Sequence, residues 1–474
     1  MAQERLVNCC YTARTYSAFN LIFKYNYKSS CLSFGTIRCL LQGRKTTIEN
    51  NMIKSLYLSS AIVMLLASSI LVGSAFGDEK PRTIMQDPEE IIKVKQLIRN
   101  NDTTTKEFLK TVIEQANSFL TDKPNSVTEK PQLPPSGNQH DFYSLANYEW
   151  PNPNTPNGLP YVSRDGKINP EIYTILDKTN LDDMIKKVRI LAIASYFTDN
   201  TTYSSKAQEL LRVWFLDNDT YMNPNLNYAE LEKGKGRLNP SGIMEGVELP
   251  QITDAMGLLR LSPNWSNEVE AGMQEWFSKY LDWLLTSDSG KAEGNRMNNH
   301  GTYYNVQVGW IALYLNNTDF AKRHLESMMQ EISSAPFDDV PKLIAVRINP
   351  DGSQPFELER TTSLHYSIYN LIGLFKLAQL GDMVGVDLWN YEIHGAGLKK
   401  ALDFVLPYAL DKKPWPFKQN APTIKEELAK LSCQAIQHYP GNQLYSEAYE
   451  SLDKSKLKID LDYPICDNMV KNVS

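Results

Sequence analysis

Leu181-Asp182-Asp183-Met184-Ile185-Lys186-Lys187-Val188-Arg189-Ile190-Leu191-Ala192-Ile193-Ala194-Ser195-Tyr196-Phe197 is the stretch that decides the fold class. Met184, Val188, Leu191, Ala192 and Tyr196 recur at the three- and four-residue spacing that places side chains on one helix face. The same period predicts helices downstream over 204–215, 246–259, 269–285, 303–315, 319–332, 363–380, 398–408, 423–438 and 442–452, and upstream over 89–99 and 105–120. Strand signals are rare, with 343–348 the best candidate. Short connections between successive helices imply antiparallel hairpins. The expected fold is therefore all-α, an (α/α) toroid or incomplete barrel of antiparallel helix hairpins. A superhelical solenoid and two stacked bundles are the alternatives, and no fixed sequence period favours the solenoid. The helical pattern is interrupted over 141–170, where Pro, Asn, Gly and aromatics crowd together; this reads as a long ordered loop of the kind that carries function.

Charge divides the chain. Residues 1–77 hold eight Lys/Arg and two Asp/Glu, which leaves 41 basic and 53 acidic side chains after Gly77. A body that acidic is a poor nucleic-acid binder. Met52-Ile53-Lys54 gives a basic start, 56–72 is apolar, and Ala75-Phe76-Gly77 presents small residues at a cleavage site, so 52–77 is expected to be a signal peptide and Asp78 the mature start. A membrane anchor is the alternative, but the apolar run is at the short edge of what a span requires. Residues 1–51 are expected to be a non-structured upstream extension, with Met52 the true start, and 78–474 a single helical domain. Secretion of the mature domain, with no stable membrane association, is the expected localisation. Within it only Cys433 and Cys466 remain, and two such cysteines in a secreted chain are expected to pair. N-x-Ser/Thr sequons at Asn101, Asn200, Asn218, Asn264, Asn316 and Asn472 fit a secreted glycoprotein.

Two clusters carry the chemistry. Arg296-Met297-Asn298-Asn299-His300-Gly301-Thr302-Tyr303-Tyr304-Asn305 precedes a helical pattern, so Asn299 and His300 fall at a helix N-terminus, where free N–H groups favour an anion and Arg296 adds a charge. An Asn there also serves as an ordinary cap. The second cluster is Glu359-Arg360-Thr361-Thr362-Ser363-Leu364-His365-Tyr366. Six helical positions turn through about 240°, so Arg360 and Tyr366 converge only if Arg360 lies ahead of the helix and folds back. Core packing is the alternative role for Tyr366, and His365 reads as structural. An amide, an imidazole, a guanidinium and a phenol are the set needed to remove a proton from carbon beside a carboxylate and expel a sugar oxygen. In the loop, Tyr143 and Trp150 suit sugar faces. Arg237, with Lys233 and Lys235, offers cations to a polyanion, and Arg296, Tyr303 and Tyr304 are further candidate substrate contacts. No HExxH, P-loop, strand-borne GxGxxG, nucleophile elbow or EF-hand occurs, and the six His do not cluster with acids at ligand spacing. No metal and no cofactor are expected.

Together with the loop 141–153, its continuation Gly158-Leu159-Pro160-Tyr161 and Asn223-Pro224-Asn225-Leu226-Asn227-Tyr228, these clusters resemble the alginate-lyase-like superfamily of polysaccharide lyases, all-helical (α/α) toroids, over roughly residues 135–385. The resemblance implies Asn299, His300, Arg360 and Tyr366 as the catalytic centre and an acidic polysaccharide as substrate. The six-residue Arg360–Tyr366 gap is similar to the branch with glucuronan- and mannuronate-cleaving enzymes, not to the bacterial alginate lyases, where the gap is seven. It further implies that Asn299 and Arg360 neutralise the carboxylate while Tyr366 takes the C5 proton and returns it to O4. Two other readings stand beside this one. One is an inactive sugar-binding protein of the same fold. The other is a glycoside hydrolase drawing a carboxylate pair from Glu245, Glu248 and Asp254.

Overall fold

A computed structural model describes residues 79–329, 344–422, 426–451 and 459–473. The expected signal segment 52–77 and the stretch 1–51 lie outside the described residues. Helices dominate: α1 (Pro88–Arg99), α2 (Thr103–Phe119), α3 (Asp177–Thr198), α4 (Thr201–Leu211), α5 (Gln251–Leu259), α6 (Asn267–Thr286), α7 (Asp288–Gly294) and α8 (Asn299–Tyr314). After them come α9 (Thr318–Glu326), α10 (Ile344–Arg347), α11 (Pro355–Leu358), α12 (Ser363–Asp382), α13 (Leu398–Ala409), α14 (Glu426–His438), α15 (Gln443–Ser451) and α16 (Asp462–Val473). Local chemistry sets several starts. Asp87 accepts from the Glu89 amide with Pro88 in the first turn of α1, Asp102 accepts from Thr105 at α2, and Asn200 accepts from Thr202 at α4.

The architecture is an (α/α) toroid. Helices α3, α5, α8, α12 and α14 surround an axial pocket of about 280 Å³ to which each contributes side chains. Neighbours pack α3 on α5, α8 on α12 and α12 on α14, while Trp310 of α8 donates to Asp254 of α5. The ring closes through α16, which packs on α14 and on α1 and α2. Outside, α4 lies on α3, α9 on α8, α13 on α12 and α15 on α14. The inner helices α3, α8 and α12 bury residues on more than one face, because each packs against neighbours within the ring and against an outer helix. In α8, Tyr304, Val308 and Ile311 join one core while Val306 and Trp310 join the other. Likewise α3, whose period suggested one apolar stripe, buries an almost unbroken run from Ile190 to Phe197.

Some expected boundaries change. Where a strand was expected over 343–348, the described residues 344–347 make the single turn α10, which puts Ile344 and Ile348 on one buried face and sinks Arg347 beneath α8. Beyond Leu211 the helix loosens into a π turn over Arg212–Leu216, and 240–246 is 3-10 before α5 begins. The loop after Asp141 holds three short strands, β1 (Tyr143–Leu145), β2 (Glu149–Trp150) and β3 (Val162–Ser163). Here β2 pairs antiparallel with β3, and β1 pairs parallel with β4 (Tyr228–Leu231). The β1–β4 pair lays the loop over one end of the toroid. The N-terminal segment crosses the other end, where Asp254 accepts from the Ile84 and Met85 amides and Gln379 donates to the Met85 carbonyl. A disulfide joins Cys433 of α14 to Cys466 of α16.

Candidate active site

At the loop-covered end the toroid opens into a cleft of about 800 Å³. Asn299, His300, Arg360 and Tyr366 all line it, and so does Arg296. The N-termini of α8 and α12 bring them together. Gly301 is required in the first turn of α8, because a Cβ there would collide with the Arg296 carbonyl. Arg347 donates to that same carbonyl from below (3.0 Å).

Asn299 is buried, and its backbone N–H and Nδ2 donate to the two carboxylate oxygens of Glu357 on α11 (2.6 and 2.7 Å). The anion expected at this helix N-terminus is thus the protein's own Glu357. Burial pushes the Glu357 carboxyl up to about 7 against the pull of those two donors. Asn298 occupies the N-cap position without a side-chain cap bond. His300 Nδ1 lies 2.5 Å from Oε1 of Glu293, whose side chain is fully buried and also faces Arg296 Nε at 2.9 Å. With a carboxylate on Nδ1 the neutral ring carries its proton there, leaving Nε2 as the basic nitrogen.

Arg360 lies ahead of α12 and folds back over Tyr366, its guanidinium carbon 3.5 Å from the ring centroid. Asp165, from the loop after β3, accepts from Arg360 at 2.6 Å and from the Thr361 amide and hydroxyl. Burial works to raise the Asp165 carboxyl, but these donors hold it down to about 2. The Tyr366 hydroxyl meets the Tyr148 hydroxyl at 2.9 Å. Burial drives the Tyr366 phenol well above its ordinary range, and Arg360 opposes that shift. His365 and Tyr369 stack behind Tyr366 and also line the cleft; burial and Arg360 push the His365 imidazole down.

Five residues expected at the substrate surface sit elsewhere. Tyr143 is buried in a small core with Leu145 and Ile175. Tyr303 is buried with its hydroxyl on the Tyr369 carbonyl, and Tyr304 is buried with its hydroxyl on the Leu284 carbonyl. Tyr303 and Tyr304 are core residues with satisfied hydroxyls, because α8 is enclosed on nearly every face. Trp150 donates to the Lys167 carbonyl beneath Arg164, and Arg237 points to solvent 4.0 Å from Glu232; neither lines the cleft. Sequence reasoning missed Tyr148, Asp165, Glu293 and Glu357. Tyr148 stood within the aromatic loop with no local period to say which ring turns inward. The three acids come from separate turns that only the tertiary fold brings together.

Cations and acids share the cleft. Lys178 pairs with Asp182 (2.6 Å), and Lys235 bridges Glu149 and Glu232 (3.1 Å each). Burial lifts Glu245 to about 7, with Lys178 pulling it back. The third acid considered for a hydrolytic pair, Asp254, lies on the axial pocket as the anchor of residues 84–85.

The chain matches the family described as alginate lyase over residues 126–415. It is similar to the crystal structure of an alginate lyase from Bacteroides ovatus, at 31% identity and TM-score 0.74, covering 81% of this chain and 99% of that one. It is also similar to alginate lyase A1-III complexed with a tetrasaccharide (15% identity, TM-score 0.47, 77% and 91% covered). The A1-III structure from Sphingomonas species A1 gives 16% identity and TM-score 0.46, with 70% and 88% covered. No curated protein matches the chain.

Proposed function

Because the chain belongs to the alginate lyase family and is a polysaccharide lyase, we propose that it cleaves a uronic-acid polymer, alginate (mannuronan) or glucuronan, by β-elimination at this cleft. The observation that carries the reading is the stack of Arg360 on Tyr366 with the Tyr148 hydroxyl against the phenol, in the cleft that His300 also lines.

A C5 proton beside an ionised carboxylate is barely acidic, because its removal puts a second charge on the same group. Arg360 and Asn299 supply the compensating donors. Asp165 takes one N–H from Arg360 and Glu357 takes one from the Asn299 amide, which aims both groups and leaves further hydrogens on each for the substrate carboxylate. One well-aimed donor of this kind is worth roughly 3–4 kcal/mol. Tyr366 takes the C5 proton as a phenolate held by Arg360, then returns it to the departing O4. In mannuronate and glucuronate the proton and the leaving oxygen lie on the same side, so a single tyrosine serves both steps. Where the proton lies on the other side, His300 Nε2 is the base, with Glu293 holding the imidazolium that forms.

The long-range repulsion between an acidic body and a polyuronate is offset locally. Arg296, Arg189, Lys186 and Arg360 face the cleft, and several of its acids, among them Asp182, Glu149, Glu230 and Glu245, are paired or pushed toward protonation by burial. Secretion completes the proposal: a signal peptide over 52–77 precedes one helical domain over 78–474. Among the described residues no helix is long and apolar enough to cross a membrane. Sequon residues Asn101, Asn200, Asn218, Asn264 and Asn316 are all exposed, as glycan carriers must be. The test is an ultraviolet assay of the chain from Asp78 on a panel of polyuronates. A new C4–C5 double bond absorbs and names the substrate, whereas reducing ends without absorbance, or no change at all, overturn the proposal.

A further inference from the structure

The mechanism above leaves Glu245 unused. It comes from the 3-10 turn Pro240–Gly246, which packs on β4, and its side chain lines the cleft while only 4% exposed. Its Oε2 has no hydrogen-bond donor among the described residues; the nearest cation, Lys178 Nζ, is 3.9 Å away. A buried carboxylate that lines a binding cleft without a hydrogen-bond donor calls for one from the ligand. Beside it stands Glu230, a non-glycine residue in β4 at φ +46°, in the left-handed region. Three bonds fix that conformation: the Ser144 hydroxyl accepts from its amide, Asn239 donates to its carbonyl, and Asn147 donates to its Oε1. Backbone held in this way by several independent contacts marks a side chain whose position is used.

A fully ionised polyuronate carries only one kind of donor, its hydroxyls, since its carboxylates have no proton to give. We propose that Glu245, with Glu230 beside it, forms a hydroxyl-reading subsite that accepts a hydrogen bond from a secondary hydroxyl of the uronate chain. The proposal rests on the polyuronate reading of the cleft. Its consequence is selectivity. A residue whose hydroxyls are esterified offers no donor and brings bulk into the cleft, so O-acetylated stretches of the polymer are rejected.

The experiment uses the chain from Asp78, the polyuronate it cleaves, and the same polymer with its secondary hydroxyls acetylated. The wild type is expected to lose tenfold or more in kcat/KM on acetylation. Glu245→Ala is expected to raise KM on the free polymer about tenfold, the worth of one hydrogen bond, with a smaller fall in kcat. It should also lose most of the discrimination against the acetylated polymer. Glu245→Gln keeps the volume and guards against misfolding; a smaller KM rise in the same direction is expected. Unchanged KM in the folded variants, or discrimination as strong as in the wild type, overturns the subsite while leaving the lyase reading intact. A wild type that forms no unsaturated product from any polyuronate overturns both.

Discussion

Arg360 lies over the ring of Tyr366, its guanidinium carbon 3.5 Å from the centroid, while one of its nitrogens donates to Asp165 at 2.6 Å. The stack needs a planar cation, and the fork to Asp165 needs a second, directed N–H. Lysine supplies neither. Arg360→Lys is therefore expected to cost about 10²–10³ in kcat, near the worth of one transition-state donor, with the protein still folded. Steady-state assay on the polymer the wild type cleaves checks this; a kcat within tenfold of wild type would show the stack to be packing only.

The phenol of Tyr366 is held above the 10.0 of an ordinary tyrosine, by burial first, with Arg360 the opposing influence. Acting as a base, it is present as phenolate only in a fraction that grows with pH. Log kcat/KM is expected to climb with about unit slope from neutrality into the alkaline range. Tyr366→Phe should abolish turnover and leave polymer binding in place. A profile without that climb, together with turnover retained in Tyr366→Phe, assigns the base role to His300 instead.

Glu357 accepts two hydrogen bonds from Asn299 and is 1% exposed. Glu357→Gln replaces one acceptor oxygen with an NH2 facing a donor, so one bond is lost and the Asn299 amide is turned. The expected cost is roughly 1–3 kcal/mol of stability and about 10²-fold in kcat from a misaimed Asn299. Thermal melting and kinetics on the same preparation measure both, and a variant with unaltered kcat would remove Asn299 from the carboxylate-binding role.

The helical architecture was legible because burial of toroid helices leaves a strong 3.6-residue signature in Leu181–Phe197 and its successors. What the period could not convey is how many faces each helix buries. For that reason Tyr303 and Tyr304, polar-tipped residues next to His300, read as substrate contacts although α8 encloses them. The pairing of Arg360 with Tyr366 is what the family resemblance implies; six residues apart they cannot share a helix face, and Arg360 does fold back from ahead of α12. The acids were not legible. Asp165, Glu293 and Glu357 each answer a partner 196, 7 or 58 positions away, and nothing local distinguishes them from solvated carboxylates.

The Cys433–Cys466 bridge spans 33 positions and ties α16, the helix that closes the ring, to α14. A loop of that size limits the unfolded chain by about 3–4 kcal/mol. Replacing both cysteines by serine should lower the urea midpoint accordingly and leave kcat unchanged below the melting range, because neither residue lines the catalytic cleft. Equal midpoints with and without the bridge would mean the α14–α16 packing alone closes the ring.

Asp254 anchors the segment that crosses the far end of the toroid, accepting from the Ile84 and Met85 amides at 2.9 and 2.8 Å. Burial lifts its carboxyl from 3.8 to about 6 in spite of those donors. An acid raised in the fold favours folding in its protonated form, so this contribution is complete below pH 3.8 and is lost as the pH climbs through 6. Asp254→Asn does not titrate. The stability difference between wild type and variant is therefore expected to move against the wild type by roughly 3 kcal/mol between the two ends of that window. Denaturant titrations at acidic and neutral pH measure it. Amide exchange at Ile84 and Met85 gives the local readout, since the variant keeps only one good acceptor for two donors and both amides should exchange faster. A stability difference that stays constant across the window would mean Asp254 ionises as an ordinary carboxyl, with water reaching the axial pocket.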